Sequence, residues 1–238
     1  MLILFDIDGT LLLTDGAGLR AMADAGHAMR GAPFALDGVT YAGRLDTLIW
    51  DDVARLNGID DPAERHAEFR AAYAAALAPR LTEERRTRSL PGVPALLDAL
   101  DEIEGVTLGL LTGNYPETGR LKLEAAELDP DRFAIASWGS DGRSRRALPP
   151  VALERFEARF GHAMPAERTL IIGDTPHDID CARASGCRVL AVATGPSATR
   201  ADLHAHTPDL LLDDLSDTGV IVEWIRSGCP APSEQPGG

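Results

Sequence analysis

The stretch Leu2-Ile-Leu-Phe-Asp-Ile-Asp-Gly-Thr-Leu11 constrains this chain more than any other. Its apolar start is that of a buried strand, and it runs out into two carboxylates, a glycine and a threonine. Side chains alternate along an extended segment, so Asp6 and Asp8 can face one small volume. Two carboxylates that close repel each other and need a cation, a shared proton or separate tasks. Two later apolar runs end in a related way. Leu110-Leu-Thr-Gly-Asn114 closes on a hydroxyl and a flexible glycine, and Leu170-Ile-Ile-Gly-Asp-Thr-Pro-His-Asp178 closes on a glycine and two aspartates.

These runs belong to a wider alternation. Short apolar segments bounded by Gly, Pro or Asp fall at Leu2–Ile7, Val106–Leu111, Phe133–Ala136, Leu170–Ile172, Val189–Ala193 and Leu210–Leu212. Helical periodicity fills most gaps between them: Val93–Leu100, Thr118–Leu128, Val151–Phe160 and Asp178–Ala184. Strand–helix alternation of this kind predicts an α/β fold, a Rossmann-like, doubly wound parallel sheet. Ligands in such sheets sit beyond the carboxyl ends of the strands, where all three motifs lie. The gap between the first two strands is too long for one crossover. It carries helical patterns at Ala17–Met29, Thr47–Leu56 and Ala63–Leu77 and no convincing strand, and Pro91-Gly92 marks the return. The expected division is a core of residues 1–13 and 90–227, an inserted helical cap of residues 14–89, and a disordered Pro/Gly-rich tail of residues 228–238.

The three motifs, in this order and spacing, resemble the haloacid dehalogenase superfamily of aspartate-nucleophile phosphotransferases, and the resemblance spans nearly the whole chain. A cap between the first two motifs is similar to the α-helical cap subclass, with phosphoglycolate phosphatase-like members. The resemblance implies a Mg²⁺-dependent phosphatase acting on a small phosphorylated metabolite through an aspartyl-phosphate.

The residues support that chemistry individually. Asp6, at a strand end, can attack phosphorus and split one displacement into two. Asp8 can protonate the leaving alkoxide and then take a proton from water. A halide leaves without a proton, so Asp8 favours phosphate esters over carbon–halogen bonds. Gly9 permits close backbone approach or positive φ, and Thr10 braces the turn. The Thr112 hydroxyl and the backbone N–H groups of Gly113 and Asn114, near the start of a helix, suit an anionic phosphoryl oxygen. A hard cation wants carboxylate and carbonyl oxygens; the expected ligands are Asp6, the Asp8 carbonyl and Asp174, with Asp178 behind them orienting a water or a basic residue.

The family pattern also includes a basic residue, usually a lysine, at the start of the helix before the third motif. Here that position reads Arg143-Ser-Arg-Arg-Ala-Leu-Pro-Pro150, so Arg145 is the candidate, with Arg146 next. Lys122, the chain's only lysine, is the alternative to Arg145 from the helix after Thr112. Tyr41-Ala-Gly-Arg-Leu-Asp46 resembles the Gly-Arg-Thr-Asp segment of many capped members. Arg44 can read a second charged group on the substrate with Gly43 giving it room, or pair with Asp46 in a helix-cap network.

The formal charge of −14 argues against a nucleic-acid or anionic-membrane partner, and no protein partner is evident. Cys181, Cys187 and Cys229 are three in number without metal-ligand spacing, which fits a reducing compartment. The first apolar run breaks at Asp6, so it reads as a strand rather than a signal peptide, and a cytoplasmic location is expected. The main alternative activity is a phosphomutase of the β-phosphoglucomutase type. A 2-haloacid dehalogenase or a non-catalytic binding protein ranks lower. Phosphonate hydrolysis through a cap lysine is set aside, because the cap contains none.

Overall fold

The computed structural model describes residues 1–84 and 86–230. In chain order, β1 (Leu2–Phe5) and the two-residue β2 (Leu12–Leu13) precede three helices, α1 (Ala17–Arg30), α2 (Asp46–Leu56) and α3 (Pro62–Glu84). After β3 (Arg88–Ser89) the chain alternates through α4 (Val93–Asp101), β4 (Thr107–Leu111), α5 (Pro116–Ala125), β5 (Ile135–Ser137), α6 (Leu148–Phe160) and β6 (Thr169–Gly173). It ends with α7 (Pro176–Ala184), β7 (Arg188–Val192), α8 (Arg200–Ala205), β8 (Leu210–Leu212) and α9 (Thr218–Arg226).

The main sheet has six parallel strands in the order β5-β4-β1-β6-β7-β8, the expected doubly wound arrangement. A parallel sheet covered on both faces reads as continuous apolar sequence, which is why its strands stood out. Alternation still sorts the faces. Ile3 and Phe5 pack with α4 and α9 residues such as Leu97 and Ile221, whereas Leu2 and Leu4 pack with Phe156 and Ile179 of α6 and α7. In register, Phe5 stands beside Leu110 on one neighbour and Ile172 on the other. The chain positions that follow all three are therefore brought level at one sheet edge.

The helices between β1 and β4 carry a hydrophobic cluster of their own, around Trp50, Phe69, Tyr73 and Leu77. Trp50 stacks on Phe69 at 4.1 Å between ring centroids, an arrangement that adds about 0.5–1.5 kcal/mol to burial. Its indole N–H donates to the Pro62 carbonyl at 2.8 Å. Helix α3 runs seven residues past the pattern ending at Leu77, because Leu81 continues the buried stripe one turn on. In contrast α5 stops at Ala125, short of the expected Leu128, where Glu127 takes φ +59° and turns the chain.

Two expectations are corrected. The stretch of residues 14–89 does contain a strand: β3 pairs antiparallel with β2, tying the two crossings between core and insertion. Two residues are too few to show a period. The tail is also ordered at its start. Cys229 is fully buried against the core, and the Trp224 indole N–H donates to the Pro230 carbonyl at 3.1 Å. The rest of the expected disordered tail, residues 231–238, lies outside the described residues. No helix among the described residues is long and apolar enough to cross a membrane.

Candidate active site

Strand order decides what meets. With β4, β1 and β6 adjacent, the loops carrying Thr112, Asp6 and Asp174 converge at their carboxyl ends. Asp6 is the first residue beyond β1, its N–H donating to the Ile172 carbonyl at 2.9 Å, and it is only 5% exposed. Burial pushes its carboxyl up to about 6, with Asp178 and Asp8 adding to the rise and the Arg145 guanidinium opposing it. Arg145 sits in a 3₁₀ turn leading into α6, itself buried. Its Nη2 lies 3.1 Å from Asp6 Oδ1 and 2.5 Å from Asp178 Oδ1, and its Nη1 donates to the Gly43 carbonyl at 3.3 Å. The second oxygen of Asp178 accepts the Thr175 N–H at 3.0 Å and hydroxyl at 2.6 Å. Asp178 is thus at once a helix cap and the anchor of the arginine.

Asp8 lines the same cavity as Asp6 but is far less buried, with 42% of its side chain exposed. Lys122 Nζ and Asn114 Nδ2 each donate to Asp8 Oδ2 at 2.7 Å. Lys122 also donates to Asn114 Oδ1 at 2.6 Å, and Asn114 Nδ2 donates to the Thr112 hydroxyl oxygen at 2.9 Å. Asn114 therefore works through its side-chain amide, a correction to the backbone donor expected at that position; its N–H points to Thr112 Oγ1 at 3.3 Å. Since Thr112 accepts from Asn114, its own proton is free to be donated. The two cations are not alternatives: Arg145 serves Asp6, and Lys122 serves Asp8. Arg146 is excluded, being surface-exposed and paired with Asp180.

Asp174 is 2% exposed, and its carboxyl is raised well above the usual range by burial first, then by Asp6 and Asp178. Thr10 donates to it at 3.0 Å. Two glycines enclose it. A Cβ at Gly9, where φ is +84°, would stand 2.4 Å from Asp174 Oδ2, and one at Gly195 would stand 1.7 Å away. Neither position tolerates a side chain without moving this carboxylate. One oxygen from each of Asp6, Asp174 and Asp178 lies within 4.8 Å of the others, all three residues buried. Three buried acids sharing one arginine leave excess negative charge, and the donors are hard oxygens; the set fits a divalent cation such as Mg²⁺.

The insertion closes over these groups, leaving a cavity of about 390 Å³ lined from both sides. Gly43 lies on the third motif's turn, where a Cβ would meet His177 Cδ2 at 2.7 Å and Thr175 Oγ1 at 2.8 Å. Arg44 turns to Asp52 (2.7 Å) and the Thr40 carbonyl (2.8 Å), pairing neither with Asp46 nor with the core carboxylates. Asp46 instead accepts the Tyr115 N–H at 3.2 Å, and its own N–H donates to the Gly113 carbonyl at 2.8 Å. Burial pushes the Asp46 carboxyl up to about 7; Lys122 opposes the rise and Asp8 adds to it.

A family model for haloacid dehalogenase-like hydrolases matches residues 1–186. The chain belongs to the haloacid dehalogenase-like hydrolases. The chain is 30% identical, over 222 residues, to the phosphoglycolate phosphatase of Pseudomonas savastanoi pv. phaseolicola, covering 90% of this chain and 76% of that protein. The enzyme of the same name from Yersinia pseudotuberculosis is 27% identical over 215 residues, covering 90% and 89%. In fold the chain is similar to CbbY from Rhodobacter sphaeroides, solved in complex with phosphate, with a TM-score of 0.71 at 19% identity over 92% of this chain and 96% of that one.

In this haloacid dehalogenase-like hydrolase the motif residues Asp6, Asp8, Gly9, Thr112, Gly113, Asn114, Arg145, Asp174 and Thr175 all line the one cavity, as do Gly43 and Arg44. Sequence reading missed the loop after β7, where Thr194 donates to the Gly9 carbonyl at 2.5 Å and Gly195 encloses Asp174. The signal was there: a further apolar run ends in Thr194-Gly195, like the second motif. It also missed as cavity residues Tyr73 and Asp46, the latter closing the Tyr41–Asp46 segment that was read only for Arg44.

Proposed function

We propose that this hydrolase is a Mg²⁺-dependent phosphatase of small phosphate monoesters, working through a phosphoryl group on Asp6. The observation that carries the reading is the division of labour between the two first-motif aspartates. Asp6 is buried beside Arg145, whereas Asp8 is open to the cavity and held by Lys122 and Asn114. The guanidinium favours the ionised, nucleophilic form of Asp6, whose oxygen attacks phosphorus as the bond to the alkoxide breaks. Asp8, entering the step protonated, hands that alkoxide its proton as Lys122 and Asn114 hold the carboxylate that forms, and then takes one back from the water that attacks the aspartyl-phosphate. Phosphate leaves and Asp6 returns. Thr112, with its hydroxyl proton uncommitted, donates to a phosphoryl oxygen together with the Gly113 N–H. Asp6, the Asp8 carbonyl and Asp174 would hold the metal, with Asp178 fixing Arg145 behind them. When bound, the metal supplies positive charge to the phosphoryl oxygens and to the crowded carboxylates.

Two further points belong to this reading. Residues 14–89 act as the cap that excludes water, and three unbridged, buried cysteines suit a cytoplasmic setting. Phosphate release from p-nitrophenyl phosphate with Mg²⁺ and with excess EDTA tests it, alongside ³²P labelling by acetyl phosphate. Turnover only with the metal, and labelling that Asp6→Asn abolishes, are expected; full activity in EDTA or a labelled Asp6→Asn protein refutes the mechanism.

A further inference from the structure

We infer, building on the phosphatase reading, that the ester cleaved here is that of an uncharged, largely apolar alcohol, and that a second anionic group on the substrate is rejected. The cavity has two unlike ends. At the core end stand Asp6, Asp8 and Asp174 with Arg145 and Lys122; at the insertion end the walls are Leu19, Met22, Ile49 and Tyr73. Among the described residues lining the cavity the cations are Arg44, Lys122 and Arg145. Each already has anionic or carbonyl partners: Lys122 has Asp8, Arg145 has Asp6 and Asp178, and Arg44 has Asp52 and the Thr40 carbonyl. Besides Arg44 the insertion brings two acids, Asp46 and Asp15, the latter 4.0 Å from Arg88.

A carboxylate or second phosphate carried into this end would meet apolar side chains and like charge. An unpaired charge held in such a place costs enough to matter by powers of ten. Tyr73 offers one polar group that awaits a partner. Tyr73 is 1% exposed, and its hydroxyl, unpaired among the described residues, borders the cavity. The space in front of it is kept by Gly18 on α1, where a Cβ would lie 3.2 Å from Tyr73 Oη and 3.6 Å from Lys122 Nζ. Tyr73 therefore sits near Lys122, placed to donate to a neutral oxygen of the alcohol close to the ester. The same features oppose a sugar bisphosphate, the species a phosphomutase must hold.

The test is a comparison of kcat/KM with Mg²⁺ on butyl phosphate, phenyl phosphate, 2-phosphoglycolate and glucose 1,6-bisphosphate. The monoesters of uncharged alcohols are expected to exceed both substrates that carry a second anionic group by roughly 10²–10³-fold, the cost of an unpaired buried charge. Leu19→Arg, which adds a long cationic side chain at a half-buried cavity position, is expected to narrow the gap to 2-phosphoglycolate by tenfold or more. Preference of the wild-type protein for 2-phosphoglycolate, especially one lost in Arg44→Ala, overturns the inference while leaving the phosphatase reading intact. Failure to cleave any monoester overturns both.

Discussion

Replacing Arg145 by alanine removes the only cation that touches Asp6 and Asp178 among the described residues. Asp6 already stands at about 6 against an ordinary 3.8, so with Arg145 present its ionised form carries a penalty of about 3 kcal/mol at neutral pH. Arg145 is the largest influence holding it down; without it the carboxyl rises further, and Asp178 is left buried with an unpaired oxygen. Removing one partner of a buried pair costs about 3–5 kcal/mol. The pH dependence follows from the raised pKa. Below the unfolded value both states hold the proton and nothing is lost; as pH climbs through the folded value the native state must ionise or retain an extra proton, and stability falls. Arg145→Ala should therefore be destabilised by several kcal/mol at pH 8 in the absence of metal and much less at pH 5. Mg²⁺ should raise the melting temperature of the variant more than that of the wild type, because the acids have lost their internal cation. Urea unfolding at both pH values, with and without Mg²⁺, measures this. An equal loss at pH 5 and pH 8 would mean that the arginine acts by packing, and the electrostatic account would be wrong.

Three other substitutions follow from the same geometry. Asp8→Asn should keep substrate binding but slow turnover by roughly 10²–10⁴-fold, read as a fall in kcat with KM little changed; an unaffected kcat removes Asp8 from proton transfer. Asp46→Asn should stabilise the fold, by at most about 4 kcal/mol at pH 8, with the gain vanishing as pH falls through about 7 towards 4, since the raised Asp46 carboxyl is then protonated; thermal melts across that range decide. Gly195→Ala should displace Asp174 and weaken Mg²⁺ binding by tenfold or more, visible by calorimetry, and an unaltered affinity would place Asp174 outside the metal site.

The strands and their terminal chemistry were legible in the sequence because burial on both faces of a parallel sheet leaves unbroken apolar runs, and because Asp6, Asp8, Thr112 and Asp174 follow those runs directly. The motif order, the long helical insertion and the candidate metal ligands could be named from that pattern alone. What the pattern does not hold is adjacency. Asp6, Thr112 and Asp174 meet only because β1 lies between β4 and β6, an order set by how both sheet faces are covered. The partition of the two cations is likewise tertiary: Lys122 and Arg145 looked like rivals for one role until α5 and the turn before α6 placed them beside different aspartates. Arg44, a reader of charge by its place in the chain, is drawn to Asp52 within the helix that follows it. Asp46, beside it, is buried instead. Local sequence sets which groups can act, because chemistry belongs to side chains; which of them face one another depends on packing between segments a hundred residues apart.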